Sequence, residues 1–283
     1  MKTSLLPATL LATLLLTSVA VVGQTSDAVA RPDTPVAAGP AGAPSADELA
    51  KQLSNPVAAL ISLPFQLNYD SGYAGGGWRS TLNVQPVIPI ELNQDWNLIQ
   101  RVIVPYIYQE DVGAPGIQSG LGDITATTFF SPKLPTADGL IWGVGPAFLL
   151  PTATNDAFAS KQWGIGPSVL ALKQQNGWTY GVLVNHISKF AGGDSRPYVN
   201  STFLQPFLAY GAGKGRTYGV NFESSYDWNA DQWTIPLNVS VSQIIPIGKQ
   251  LTSFSLGARA YLDKPAGGPT WGMRFVISLL FPK

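Results

Sequence analysis

The chain has 283 residues, of which 45% are hydrophobic and only 12% charged, about half the charge of an ordinary soluble domain. Seventeen Lys and Arg balance seventeen Asp and Glu, which argues against a nucleic-acid partner, because such a partner needs a clustered basic surface. The absence of Cys excludes disulfides and thiolate metal sites, a single His argues against a zinc centre, and no motif points to a nucleotide, haem or metal cofactor.

The first thirty residues read as an export signal. Met1-Lys2 supplies a short positive start, Leu5 to Val22 is almost wholly apolar, and Ala28-Val29-Ala30 fits small-x-small cleavage. A membrane anchor is the competing reading of residues 1–30, but Pro7, the interspersed Thr and Ser and the lack of a basic flank weaken it. Residues 31–44, rich in Pro, Ala and Gly, form a flexible linker. Residues 45–62 are expected to hold a short periplasmic helix. Ser45 stands at its N-cap with Glu48 three residues on, Leu49 and Leu53 share a face, and Asn55-Pro56 ends or kinks it. Such a helix is either a plain tether or a small plug at a barrel mouth.

From Leu63 the period changes to two. Leu63, Phe65, Leu67 and Tyr69 alternate with Gln66, Asn68 and Asp70, and Trp233, Ile235, Leu237, Val239 and Val241 alternate with Thr234, Asn238, Ser240 and Ser242. Twelve such segments begin near 63, 78, 96, 120, 140, 163, 178, 198, 217, 233, 251 and 271. Those at 140, 163 and 198 alternate poorly, so the count lies within ten to fourteen. Each runs about ten residues or more, enough to cross a bilayer when tilted. Residues 63–283 are therefore expected to form an all-β, transmembrane, antiparallel up-and-down barrel of about twelve strands, preceded by the short helix.

A soluble sandwich shares that period, so three further features favour a membrane. One face of the long segments is apolar and the other is Ser, Asn, Gln, Thr and Gly, as for an apolar exterior around a polar lumen. Trp78, Trp163, Trp228, Trp233 and Trp271 fall at one set of segment ends, and Trp96, Trp142 and Trp178 at the other, as aromatic girdles do. The last segment alternates down to Phe281, like the C-terminal signal read by outer-membrane assembly machinery, although Pro282 and Lys283 follow it. A bacterial, Gram-negative outer membrane follows, with its lipid and lipopolysaccharide as surroundings. With the N-terminus periplasmic, Asp70, Glu110, Asp111, Asp156, Asp194, Asp231 and Asp263 fall in outward loops. Solvated loop charge and an acidic rim holding divalent cations are the two readings.

Residues 119–133, Ser-Gly-Leu-Gly-Asp-Ile-Thr-Ala-Thr-Thr-Phe-Phe-Ser-Pro-Lys, resemble a stretch of the outer-membrane barrels named for the meta-pathway of phenol degradation. Trp142-Gly143-Val144-Gly145-Pro146, Gly164-Ile165-Gly166-Pro167 and Phe203-Leu204-Gln205-Pro206-Phe207 are similar to that family too. Some of its members carry the name of the peptide hormone neuromedin U. The resemblance runs from about Leu49 to the C-terminus and implies a transporter linked to uptake of small, often aromatic, compounds. It transfers no set of functional residues. Gly120, Gly122 and Asp123 are read as a structural turn, with Asp123 accepting backbone donors.

If the apolar face meets lipid, Arg101, Glu223, Arg259 and Arg274 point inward. Charge inside a membrane span marks a candidate site, here an ion-paired network, a constriction that selects solute, or both. His186-Ile187-Ser188 with Asn200 is similar in spacing to outer-membrane phospholipase A, although Lys189-Phe190 follows the Ser where that enzyme has Asn-Gly. A His at the strand's outer end is the simpler reading. The expected function is passive transport of a small apolar or aromatic solute across the outer membrane. The alternatives are a structural, non-conducting barrel, a lipid hydrolase using His186, Ser188 and Asn200, and a soluble secreted β-protein.

Overall fold

The computed structural model of the protein describes residues 44–282, so the expected signal peptide (1–30) and the linker up to residue 43 lie outside the described residues. Ser45 opens helix α1, Ala46–Leu53, through the full reciprocal cap: its hydroxyl accepts the Glu48 N–H while the Glu48 carboxylate accepts the Ser45 N–H. The alternating segments then form twelve strands. These are β1 (Ile61–Ser71), β2 (Trp78–Val84 and Val87–Glu91), β3 (Trp96–Glu110), β4 (Ile117–Leu121 and Ile124–Pro132), β5 (Leu140–Leu150) and β6 (Gln162–Gln175). The second half comprises β7 (Trp178–Gly192), β8 (Asn200–Gly213), β9 (Arg216–Phe222 and Ser224–Asp227), β10 (Gln232–Ile247), β11 (Gln250–Asp263) and β12 (Trp271–Phe281).

Each strand pairs antiparallel with its neighbours in sequence, and β1 pairs β12 in continuous register from Ile61 opposite Phe281 to Ser71 opposite Trp271. The result is a closed barrel of twelve strands, which leaves no sheet edge unpaired, as a strand-built membrane protein requires. Both described chain ends lie at one end of it, here the near end. Two near-end turns, Asn176-Gly177 and Lys214-Gly215, have positive φ at both positions, the two-residue geometry that matches strand twist.

The outward residues are the expected apolar set: Leu67, Val239, Leu256, Met273 and Phe275 are all exposed. The inward set differs from a uniformly polar lumen. Ile99, Phe129, Leu170, Leu172 and Leu183 are buried inside the barrel as one apolar cluster, with Val87, Ile141, Phe203 and Phe207 packed against it. This is the physical reason that the segments at 140, 163 and 198 alternate poorly: they are apolar on both faces, one toward lipid and one toward the lumen.

The two Gly-x-Gly-Pro runs lie side by side on β5 and β6, with Pro146 opposite Pro167. Their second glycines allow close approach of backbone. A Cβ on Gly145 would lie 1.9 Å from the Thr128 carbonyl oxygen, and one on Gly166 would lie 1.7 Å from that of His186. Gly145→Ala is therefore expected to lower stability by about 1–3 kcal/mol, read as a shifted urea midpoint of the folded barrel. Gly211→Ala, where the nearest atom is an unstrained 3.6 Å away, is expected to leave it unchanged.

Helix α1 packs at the near end. Leu49 and Ala50 join Leu60, Ile244 and Leu280 in a second buried apolar cluster. The Gly215 N–H donates to Asp47 at 2.6 Å, and the Gln174 amide donates to the Lys51 carbonyl at 2.8 Å. Beyond the helix, Val57 enters the lumen's apolar cluster against Ile99 and Phe129.

Candidate functional site: the barrel lumen

The lumen has two unlike walls. On one, contributed by β1 and β9 to β12, charges and amides interlock. Glu223 occupies the break between the two parts of β9, where its N–H donates to the Pro236 carbonyl. Its carboxylate takes both arms of the Arg274 fork, at 2.8 and 2.6 Å, and one arm of Arg259 at 3.1 Å. Arg259 also donates to both oxygens of Asp70, at 3.1 and 3.3 Å, and to Asn238 at 2.8 Å. Asn68 accepts from Arg274 at 2.7 Å, and Asn238 donates onward to Asn221 at 2.9 Å. Forked, charge-assisted bonds of this kind are the stronger class.

Asp70 corrects the sequence reading, which placed it among the outward loop charges. It ends the inward series Gln66, Asn68, Asp70 on β1 and is only 5% exposed. Its parity with Asn68 was the available signal. Asn68, Asn238 and Asn221 were not singled out, because an amide among many gives no such signal. Glu110 and Asp263 likewise close strands rather than sit in loops.

The opposite wall, from β3 to β8, carries the apolar cluster and, at mid-lumen, Arg101. Its guanidinium donates to the Gln85 side-chain amide oxygen at 2.9 Å and, among the described residues, forms no ion pair with a carboxylate, unlike Arg259 and Arg274. Arg101 faces two cavities. One, of about 340 Å³, lies toward the near end and is bounded by Gln52 to Pro56 of the N-terminal segment. The other, of about 330 Å³, lies toward the far end between Phe129, Leu149, Leu183 and Phe203.

At the far end Trp78, Trp228, Trp233 and Trp271 stack with tyrosines, Trp78 lying 5.7 Å from Tyr69 and 5.4 Å from Tyr108; Trp163 is the second residue of β6 there. At the near end Trp96 meets Trp142 edge-on at 5.7 Å, and Trp178 lies 4.7 Å from Tyr210. Gly122-Asp123 interrupts β4, and Asp123 accepts the N–H groups of Ala153 at 3.0 Å and Ser160 at 2.7 Å, fastening the loop that begins at Pro151. A Cβ on Gly120 would lie 2.7 Å from the Thr154 hydroxyl of that loop.

His186, Ser188 and Asn200 share the outward face of β7 and β8, where Asn200 stands opposite Ser188. The His186 ring bonds Thr202 at 2.9 Å rather than either partner, and Thr202 also accepts the Trp228 indole N–H at 2.9 Å. The acidic loop groups are engaged locally: Lys161 holds the Asp156 carboxyl below its usual range, and Lys189 pairs with Asp194. At a near-end turn the Thr136 hydroxyl and then Lys173 do the same for Asp138. Among the described residues, no group of three acids or His converges on a metal position.

No protein-family model matches this sequence, and no curated protein does. Among solved structures, the COG4313 outer membrane channel from Pseudomonas putida F1 is similar, with 15% identity over 79% of this chain and 96% of that one, and a TM-score of 0.61. This chain has the fold of an outer-membrane β-barrel. Two phospholipase barrels are more distant: that of Escherichia coli has 10% identity over 78% of this chain and 90% of its own, with a TM-score of 0.48. That of Salmonella typhi has 11% identity over 85% and 99%, also with a TM-score of 0.48. The likeness to the first is one of fold, and what the barrel does rests on its own lumen.

Proposed function

We propose that this barrel is an outer-membrane channel for passive uptake of small apolar or aromatic solutes. The observation that carries the proposal is the apolar inner wall. A lumen that only needed filling could use the polar network of β9 to β12 all the way round. Instead Phe129, Leu183 and Phe203 present apolar surface to the far-end cavity of about 330 Å³, while the near-end cavity of about 340 Å³ lies beyond Arg101. Water is poorly held by such a wall and an apolar solute displaces it favourably. The family resemblance of residues 119–133 points to the same solute class.

A structural, non-conducting barrel is the second reading, favoured by α1 and Val57 seated at the near end. Planar-bilayer recording and liposome swelling separate the two. Discrete conductance steps and swelling with small solutes are expected, and a barrel closed to every solute tried would overturn the channel. No catalytic role is assigned to His186 and Ser188, since the His186 ring is turned to Thr202.

A further inference from the structure

Arg101 is a mid-lumen guanidinium that the ion network leaves out, as it leaves out Arg79, which donates to Gln109 near the far end. Arg101 is shared by the two cavities, standing where one gives way to the other. A guanidinium carries five N–H donors in a fixed planar fork, and the recorded acceptor here is one neutral amide oxygen, that of Gln85. At mid-lumen, two carboxylates, Asp70 and Glu223, face Arg101, Arg259 and Arg274, and both carboxylates are already forked onto the latter two. The lumen is thus left with positive charge on its apolar side. Around the far-end cavity, Phe129, Phe203, Leu149, Leu183 and Ile103 supply apolar surface beside that charge, and neutral hydroxyls and one amide, Asn185, line the rest. Its volume of about 330 Å³ exceeds the ~150 Å³ of a cavity that takes up benzene.

We propose that this chamber is a binding site for a small aromatic monocarboxylate. The carboxylate lies on the Arg101 fork and the ring lies against Phe129 and Phe203. The inference rests on the channel reading for its biological sense and narrows the solute from apolar to amphipathic and anionic. Charge and shape select that class together. A neutral arene fills the apolar part but leaves the guanidinium without a counter-charge, and a dianion finds no second cation among the residues that line the cavity. A carboxylate matches the fork with two parallel bonds, which a neutral hydroxyl or amide does not.

The test uses the full folded chain in lipid nanodiscs, titrated calorimetrically with benzoate and with its neutral isostere benzamide. Benzoate is expected to bind more tightly than benzamide. Arg101→Gln should weaken benzoate by at least about tenfold, the loss of a charge-assisted pair, and leave benzamide unchanged. Arg101→Lys, which keeps the charge but loses the fork, should fall between, and it serves as the comparison should Arg101→Gln not fold. Benzoate binding that is absent, no tighter than benzamide, or indifferent to both substitutions overturns the site. Conductance of the same preparations keeps the two readings apart. A conducting barrel with no Arg101-dependent benzoate binding overturns this inference alone, whereas Arg101-dependent binding in a barrel closed to every solute supports the site and overturns the channel.

Discussion

Glu223→Gln is expected to destabilise the barrel by about 3 kcal/mol or more, the scale seen when one partner of a buried ion pair is removed. The reason is the number of charges that converge on one carboxylate. Glu223 holds both arms of Arg274 and one arm of Arg259, and all three side chains are largely screened from solvent, at 22%, 8% and 8% exposure. An amide at this position can keep part of the hydrogen bonding but supplies no counter-charge, so Arg274 is left inside the wall with neutral partners alone. Urea titration of the folded protein in vesicles reads the effect as a lowered midpoint. The double variant Glu223→Gln with Arg274→Gln, which removes the stranded charge as well, is expected to recover part of that loss. A Glu223→Gln barrel as stable as the parent would mean that the network contributes nothing.

Removing residues 31–58 is expected to raise single-channel conductance several-fold while leaving the barrel folded. The strands close on themselves through the unbroken β1–β12 register, so the wall does not depend on the N-terminal segment. The lumen does. Gln52 to Pro56 bound the near-end cavity, and Val57 packs across the apolar wall against Ile99 and Phe129. The segment is held by local contacts: Leu49 is fully buried against Leu60, Ile244 and Leu280, and Asp47 and the Lys51 carbonyl each accept one hydrogen bond from the barrel. Leu49→Asp in the full-length chain, which places a charge where no partner stands, should move conductance in the same direction by loosening the segment. Equal conductance in the parent and both variants would show that the segment does not obstruct the path.

The strands were legible because a lipid-facing wall imposes a strict rule on every second residue. The segments beginning at Trp78, Trp96, Leu140, Trp178 and Trp271 start where the structure starts them. Helix α1 was legible for a different reason: Ser45 and Glu48 cap it locally and need no tertiary partner. What sequence alone did not yield is the inner wall. Nothing obliges inward residues to share one character, so Leu170 and Leu172 look like failures of alternation until β6 is seen to bury them inside the barrel. Partnerships across the lumen are equally hidden. Parity puts Arg259 and Arg274 inside, but only the folded register brings Asp70 of β1 to Arg259 of β11, 189 positions later in the chain. Parity also puts Arg101 inside, and its separation from the other two guanidiniums is a fact of position around the barrel that periodicity cannot express.

The network on β1 and β9 to β12 also bears on how the cylinder comes together. Asn68 and Asp70 belong to the first strand, while Glu223, Arg259 and Arg274 belong to the last four. Before β1 meets β12, Arg259 lacks Asp70 and Arg274 lacks Asn68, so an unsealed sheet holds its guanidiniums short of acceptors. Sealing satisfies both in one step, alongside the backbone ladder from Ile61 to Ser71. The charges that look like lumen furniture therefore act as a latch, making a half-finished barrel a poor place for the chain to rest.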